Sequence, residues 1–130
     1  MNSVMNRIRN TLDTFIDGAE NMKATYYGSC NVKELALWNY FVFNRKRTKR
    51  SANSRDSFQT DYEIHIIHEN FIPEGFVEKV VKALLEPSDK GTKLKVTADD
   101  IGYNYIFKNN TNIVVEIATI TVTHPTIGGV

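Results

Sequence analysis

A chain of 130 residues has the length of one ordinary domain and is long enough to bury a hydrophobic core. Its apolar fraction of 42% and charged fraction of 24% are typical of a globular protein and exclude wholesale disorder. The net charge of +1 hides an uneven distribution, because six of the sixteen basic residues fall within eleven positions: Arg45, Lys46, Arg47, Lys49, Arg50 and Arg55. The rest holds ten basic against fifteen acidic residues, which predicts an acidic body with one basic projection.

The cysteine count and the N-terminal segment indicate the compartment. The single cysteine, Cys30, excludes an intrachain disulfide and fits a reducing environment. Charges interrupt the apolar pattern of the first fifteen residues, so we expect neither a signal peptide nor a membrane span there. The sequence thus predicts a soluble protein that is intracellular when made.

The first predicted element is an amphipathic helix over residues 3–23. Its apolar positions recur at helical spacing: Val4, Met5, Ile8, Leu12, Phe15, Ile16 and Ala19, with Met22 extending the stripe. Residues 24–34 contain Gly28, Ser29 and Asn31 and are predicted to form a connecting loop.

The period then changes from helical to two, which predicts strands. Residues 35–45 carry apolar side chains on both faces, so this strand should lie centrally or be covered on both sides. Residues 58–68 alternate Tyr62, Ile64 and Ile66 with Asp61, Glu63 and His65. The intervening segment 45–57 has almost no apolar residue and is predicted to be a mobile basic loop at the tip of an extended hairpin.

A second helix is predicted over residues 70–86, with Pro73 in its first turn and a buried stripe of Phe76, Val77, Val80, Val81, Leu84 and Leu85. Three strands follow: a short one at 92–98, one at 101–108 with Ile101, Tyr103, Tyr105 and Phe107 on one face, and one at 112–123. Asn109 and Asn110 predict a tight turn between the last two, and residues 124–130 a frayed tail.

This order of elements predicts an α+β fold. Two helices should pack on a mainly antiparallel sheet of four to five strands, in the order α-β-β-α-(β)-β-β, because hairpins join neighbouring strands. No repeat and no boundary interrupts the pattern, so residues 1–130 are predicted to form a single domain.

The sequence offers little for catalysis. His65 and His68 should point to opposite faces of a strand, and His124 lies in the tail. Cys30 lacks a recognisable nucleophile signature, the adjacent Asp99 and Asp100 fit a solvated turn, and no glycine-rich phosphate loop is present. We therefore expect no enzyme activity, no metal site and no cofactor.

The basic segment is the strongest functional feature, and three interpretations stay open. It could contact nucleic acid, although residues 45–57 contain no aromatic residue for base stacking. It could contact an acidic protein surface, including that of a neighbouring copy, or it could be a solvated tip without a partner. A candidate subunit interface is drawn from the aromatic residues Tyr26, Tyr27, Trp38, Phe41 and Phe43.

Over residues 4–123 the chain resembles the tail-terminator, or tail-completion, proteins of long-tailed bacteriophages. The similarity lies in the first helix and in four segments: WNYFVFNRKR, DYEIHIIHE, IPEGFVEKVVKALLE and YNYIFKNNTNIVVEIATITV. The resemblance implies a small α+β subunit of a ring, usually hexameric, at the head-proximal end of the tail tube. Such a ring stops tube polymerisation and offers a surface to the head connector.

The resemblance also implies partners and a location. A flexible loop between the first two strands would engage the tail-tube protein, a role that falls on Arg45, Lys46, Arg47, Lys49, Arg50 and Arg55. DNA would be a passing occupant of the ring, no active site is implied, and the protein would reside in the virion after synthesis in the host cytoplasm. A head-completion or connector protein of the same junction is an alternative, and a small nucleic-acid-binding module is another.

Overall fold

The computed structural model describes residues 4–29, 36–50, 57–86, 94–96 and 101–127. Within these ranges two helices and six strands occur, and they confirm the predicted α+β class. In chain order they are α1 (Val4–Asp13), β1 (Ala24–Tyr27), β2 (Tyr40–Arg50), β3 (Ser57–Glu69), α2 (Phe76–Leu85), β4 (Lys95–Val96), β5 (Gly102–Phe107) and β6 (Val114–Ile127). None of the helices seen in these ranges has the length and apolar content that crossing a lipid bilayer requires.

The strands form one sheet in the order β1-β2-β3-β6-β4, with β5 beside the first half of β6. The sheet is mainly antiparallel, as expected, and only the pairing of β1 with β2 is parallel. The central pair is β3 with β6, whose register runs without a break from Ser57 opposite Ile127 to Glu69 opposite Val115. This ladder fixes which residues face each side of the sheet.

The main core lies between the sheet and the two helices, on the side that we call the helix face. The alternation predicted for β3 is confirmed, because Tyr62, Ile64 and Ile66 are buried there. They pack with apolar residues from both helices and the neighbouring strands: Ile8, Leu12, Phe41, Phe43, Phe76, Val80, Leu84, Ala118, Ile120 and Val122. Asp61, Glu63 and His65 point to the opposite side, the second face.

A smaller apolar cluster lies on the second face. It contains Trp38, Tyr40 and Val42 with Ile67 and Val115. The first part of β2 is therefore buried on both faces, as its sequence predicted. Removing apolar surface from water on both sides anchors β2 firmly between β1 and β3.

The predicted first helix is too long, because α1 ends at Asp13. Asp17 and Asn21 adopt positive φ angles of 58° and 61°, which a right-handed helix does not allow. The apolar stripe nevertheless reaches the core without the helix: Phe15 and Ile16 pack against it and Met22 is fully buried. Burial follows the prediction at these positions but not at Ala19, which is exposed, and the backbone assignment was wrong.

The predicted second helix is also too long at its N-terminal end, because α2 begins only at Phe76. Asn70 and Gly75 have positive φ angles of 70° and 84°, so residues 70–75 form a turn. Pro73 precedes the helix instead of lying in its first turn, and its carbonyl accepts a hydrogen bond from the Phe76 N–H.

The loop predicted over residues 24–34 is wrong for its first part, because Ala24–Tyr27 forms β1. This strand pairs in parallel with β2, with Ala24 opposite Tyr40 and Tyr27 opposite Phe43. The rings of Tyr26 and Tyr40 meet edge to face at 5.9 Å. A strand of four residues that pairs with a distant segment shows only a weak alternation of apolar and polar residues in its own sequence. Residues 30–34 of the predicted loop lie outside the described part of the chain.

Two predicted irregular segments are strands. Residues 45–50 of the predicted basic loop continue β2 and pair with β3, and residues 124–127 of the predicted frayed tail continue β6. Main-chain pairing along the long β3 holds both segments in spite of their polar sequences. Ser57, the last residue of the predicted loop, begins β3. Residues 51–56, which include Arg55, and the tail residues 128–130 lie outside the described residues.

The C-terminal strands follow the prediction with shifted ends. The β5–β6 hairpin closes through a hydrogen bond from the Lys108 N–H to the Ile113 carbonyl, and Asn110 takes a positive φ of 60° in the predicted turn. Of the strand predicted at 92–98, Lys95–Val96 forms β4, and most of its remaining positions lie outside the described ranges.

A buried ion pair ties this hairpin to the rest of the sheet. The Glu69 carboxylate accepts hydrogen bonds from Lys108 Nζ and from the Trp38 N–H, each at 2.6 Å, and Lys108 Nζ also donates to the Ala36 carbonyl. Burial alone would raise the pKa of Glu69, but these donors hold it below its usual range. The pair therefore connects the end of β3, the segment before β2 and the end of β5.

We expect Lys108→Ala to lower the free energy of unfolding by about 2–3 kcal/mol at neutral pH, because it leaves the buried Glu69 carboxylate with fewer donors. Urea unfolding measures this change. Lys82→Ala, at an exposed position of α2, is the control and should shift stability by less than about 0.5 kcal/mol. Equal stability of the two variants would contradict the role of this ion pair.

Candidate functional site

The two central histidines of the described chain do not form a site together. His65 and His68 lie on opposite faces, as predicted: His65 bonds to the Thr119 hydroxyl at 3.0 Å, whereas the His68 ring faces the carbonyl oxygens of Glu69 and Glu20. Burial lowers the pKa of His65, and the nearby Glu63 only partly offsets this. Among the described residues no group of three or more His, Cys, Asp or Glu side chains is placed to hold a metal ion. Cys30, Asp99 and Asp100 lie outside those residues.

The basic segment of β2, residues 45–50, presents its charges on both sides of the sheet. A β-bulge separates two registers: Arg45 is opposite Tyr62, and Arg47 is opposite Asp61. Lys46 is the extra residue, and its insertion turns Arg47 to the second face, where Asp61 points. Without the bulge, the strict alternation of a strand would place Arg47 on the helix face with Arg45.

The six predicted basic residues therefore divide into different groups. Arg47 is engaged within its own chain, because its Nε donates to Asp61 Oδ2 at 2.9 Å. The remaining described residues, Arg45, Lys46, Lys49 and Arg50, are exposed and form no salt bridge with a described residue. These four side chains are the cations left for a partner.

Asp61 is the anchor of this segment. Burial alone would raise its pKa, but hydrogen bonds from Arg47, Thr123 and Gln59 hold the pKa below its usual range. Its carboxylate lies on the second face with only 1% of the residue exposed. The charged form of Asp61 thus holds the end of β2 against β3 through Arg47.

This depressed pKa predicts an acid-sensitive contribution to stability. The contribution is present above the pKa of unfolded aspartate, about 3.9, and is lost as pH falls through the lower folded pKa. We expect Asp61→Asn to lower stability at pH 7 by about 1–3 kcal/mol and to lose less stability than the wild type between pH 4 and pH 2. Urea unfolding at several pH values measures both effects, and parallel pH profiles would contradict the assignment to Asp61.

Three of the five aromatic residues predicted for a subunit interface lie inside the chain. Trp38, Phe41 and Phe43 are buried inside their own chain, in the two cores, because β2 is covered on both faces. Tyr26 is half-buried, and Tyr27 is exposed at the outer edge of β1 while its ring packs on Phe43. Only the two tyrosines could therefore contribute to a surface.

The large exposed apolar surface lies instead around β5. All six residues of this strand are exposed, and within the described sheet β5 pairs only with β6, so its other edge is open. Tyr103, Tyr105 and Phe107 share the helix face, with Phe107 64% exposed. Ile106, Ile113, Val114 and Phe71 extend the exposed apolar surface. We call this surface the β5 edge.

Sequence reasoning found the β5 alternation but not its exposure. Tyr103, Tyr105 and Phe107 do share one face, as predicted for residues 101–108. Whether a helix covers that face depends on packing: each helix has ten residues, and their apolar stripes lie over the central strands. The sequence carried no signal of this exposure, because it predicted longer helices, over residues 3–23 and 70–86, and only four to five strands for them to cover.

A cleft of about 650 Å³ opens between the β5 edge and the turn before α2. Its walls include Phe71 and Tyr103, and it is lined by Glu74, Glu78 and Glu116. Glu116 is occupied, because its carboxylate accepts hydrogen bonds from the Ile72 N–H and the Tyr105 hydroxyl, each at 2.7 Å. The bond to Glu116 raises the pKa of Tyr105. We call this cavity the acidic cleft.

No protein-family model matches the chain, and a search of curated proteins yields no significant match. A function is therefore inferred from three surfaces of the fold: the basic segment of β2, the β5 edge and the acidic cleft.

Proposed function

We propose that this protein is a structural subunit that assembles with copies of itself into a ring at the head-proximal end of a phage tail tube. The ring would end tube polymerisation and present the surface to which the head-completion or connector protein attaches. DNA would pass through the ring without specific binding. The resemblance of residues 4–123 to tail-terminator proteins supports the location, and the β5 edge supports the assembly.

The β5 edge is the observation that carries the proposal. An open strand with exposed aromatic side chains leaves main-chain donors and acceptors ready to pair with another chain. Exposed aromatic side chains grouped on one face of a strand, as Tyr103, Tyr105 and Phe107 are, are typical of protein interfaces. A second copy that adds a strand or packs its own apolar surface here would cover both kinds of group.

The tail-tube contact is proposed for the basic residues of the 45–55 segment. In the described part, the exposed cations Arg45, Lys46, Lys49 and Arg50 stand on the end of a paired strand, and Arg47 is held by Asp61. Positive charge on a fixed scaffold favours a complementary acidic surface with little loss of conformational freedom. No catalytic step, cofactor or metal belongs to this function.

One observation favours nucleic-acid binding as a second candidate. Phe58 is 44% exposed and lies opposite Arg50 in the ladder, so an aromatic ring stands beside the basic residues on the helix face. Stacking on aromatic side chains and contacts with phosphates commonly occur together at such surfaces. Filter binding of single-stranded DNA, whose bases are free to stack, and of a DNA duplex at low and physiological salt separates the candidates, because phosphate contacts weaken by orders of magnitude over that range.

We expect the variant Ile106→Lys/Phe107→Lys to associate at least about tenfold more weakly than the wild type, because it places charge on both faces of the β5 edge. Sedimentation equilibrium over a wide concentration range measures the association. Both side chains are exposed, so thermal stability should change little.

The matched control is Asp13→Asn/Glu86→Gln, which adds the same charge at exposed positions far from β5 in sequence. It should associate like the wild type. A wild-type chain that stays monomeric at every concentration and does not bind its tail-tube protein would refute the proposed function. The neighbouring genes give an independent check, since a tail-tube protein should be encoded beside this chain.

A further inference from the structure

We propose that copies of this chain join head to tail, with the basic segment of β2 from one copy seated in the acidic cleft of the next. This inference rests on the proposed self-assembly and adds a specific contact to it. It assigns Lys49 and Arg50 to the neighbouring copy and leaves Arg45 and Lys46 for the tail tube. The occupant of the cleft is thus a second copy of the same chain.

The acidic cleft has the chemistry of a site for cationic side chains. Glu74 and Glu78 are exposed on its rim and make no salt bridge or hydrogen bond with a described residue. The rings of Phe71 and Tyr103, both largely exposed, stand beside them. A guanidinium or ammonium group can bind between carboxylates and ring faces, where charge pairing and the cation–π attraction add.

Charge pairing and cation–π contacts both occur within the chain. Lys108 Nζ bonds to the Glu69 carboxylate and also lies 5.9 Å from the centre of the Trp38 ring. The guanidinium carbon of Arg9 lies 5.3 Å from the centre of the Phe43 ring. The acidic cleft offers the same pair of groups, carboxylate and aromatic ring, without an internal cation among the residues that line it.

The basic segment supplies the matching cations. Lys49 and Arg50 are exposed at the end of β2, and the ladder with β3 holds their backbone in place. The bulge at Lys46 and the bond between Arg47 and Asp61 fix the direction in which each side chain leaves the strand. A positioned group loses less conformational entropy on binding than a free one.

The two surfaces lie at opposite ends of the sheet. Arg50 is opposite Phe58 at the beginning of β3, whereas Phe71 follows the end of β3 by two residues. The intervening 13 residues of strand span roughly 40 Å at about 3.3 Å per residue. The basic segment therefore cannot reach the acidic cleft of its own copy.

A contact between two different surfaces of identical subunits is heterologous, and repeating it produces a ring when the rotation closes. The acidic cleft repels phosphate, so nucleic acid could use the basic segment but not the cleft. Only a partner that carries cationic groups can pair with the carboxylates of the acidic cleft. The chain itself presents such groups at the other end of its sheet. Charge complementarity thus favours a second copy over nucleic acid.

Charge reversal tests this contact. We expect Glu74→Lys/Glu78→Lys and Lys49→Glu/Arg50→Glu each to associate at least about tenfold more weakly than the wild type in sedimentation equilibrium. An equimolar mixture of the two variants should regain association, because every contact is then between opposite charges. A chain that carries all four substitutions should also associate, for the same reason. Wild-type association should weaken as NaCl rises from about 0.05 to about 0.5 M.

Two further variants keep the test decisive. Asp13→Lys/Glu86→Lys makes the same change in net charge as the reversed cleft but at other exposed positions, and it should associate like the wild type. Glu74→Gln/Glu78→Gln should weaken association in the same direction as the reversal, and it replaces the reversal if circular dichroism shows that the lysine variant is unfolded.

The outcomes separate this contact from the proposed function. If reversing the acidic cleft leaves association unchanged while Ile106→Lys/Phe107→Lys abolishes it, the head-to-tail contact is refuted and self-assembly through the β5 edge stands. A wild type that is monomeric throughout refutes the head-to-tail contact, and it refutes the proposed function as well if it also fails to bind its tail-tube protein. If Lys49→Glu/Arg50→Glu loses binding to a DNA duplex but associates normally, the basic segment serves nucleic acid and the contact is refuted.

Discussion

The long antiparallel ladder between β3 and β6 determines most of this structure. Thirteen consecutive residues of β3 pair in one unbroken register, so the side of every cross-strand neighbour is fixed by alternation. That register places Tyr62, Ile64 and Ile66 under the helices. It also extends the sheet well beyond the area that the two helices cover. The end of the sheet at which β3 begins carries the basic segment. The end at which β3 finishes carries the β5 edge and the acidic cleft.

The sequence predicted the elements that depend on local periodicity. The apolar stripes of α1 and α2 and the alternation of β3 are strong because many side chains face one core. The predicted helix ends were wrong because the predicted ranges include residues with left-handed conformations, which a helix cannot contain: Asp17 and Asn21 after α1, and Asn70 and Gly75 before α2. Asparagine tolerates such conformations in many settings, so its presence alone does not mark a helix end.

Pairing between distant segments accounts for the remaining errors. Residues 45–50 and 124–127 look too polar for strands, yet both are held by β3, whose partners no local window reveals. The burial of the aromatic residues on β2 has the same cause. Phe41 and Phe43 became core residues once β1 and β3 flanked them, whereas Tyr105 and Phe107 were left exposed beyond the reach of either helix. The cluster of basic residues was visible in the sequence. The ion pair of Arg47 with Asp61 was not, because it depends on a bulge that no sequence pattern predicts.

The bulge at Lys46 makes this end of the sheet tolerant of a change in chain length. Because Lys46 is the extra residue, Arg45 stays opposite Tyr62 and Arg47 stays opposite Asp61 with or without it. The buried part of β2 precedes this position and would keep its packing. Relatives could therefore lose one residue at this point during evolution without redirecting Arg47, Lys49 and Arg50 and without rebuilding the interior.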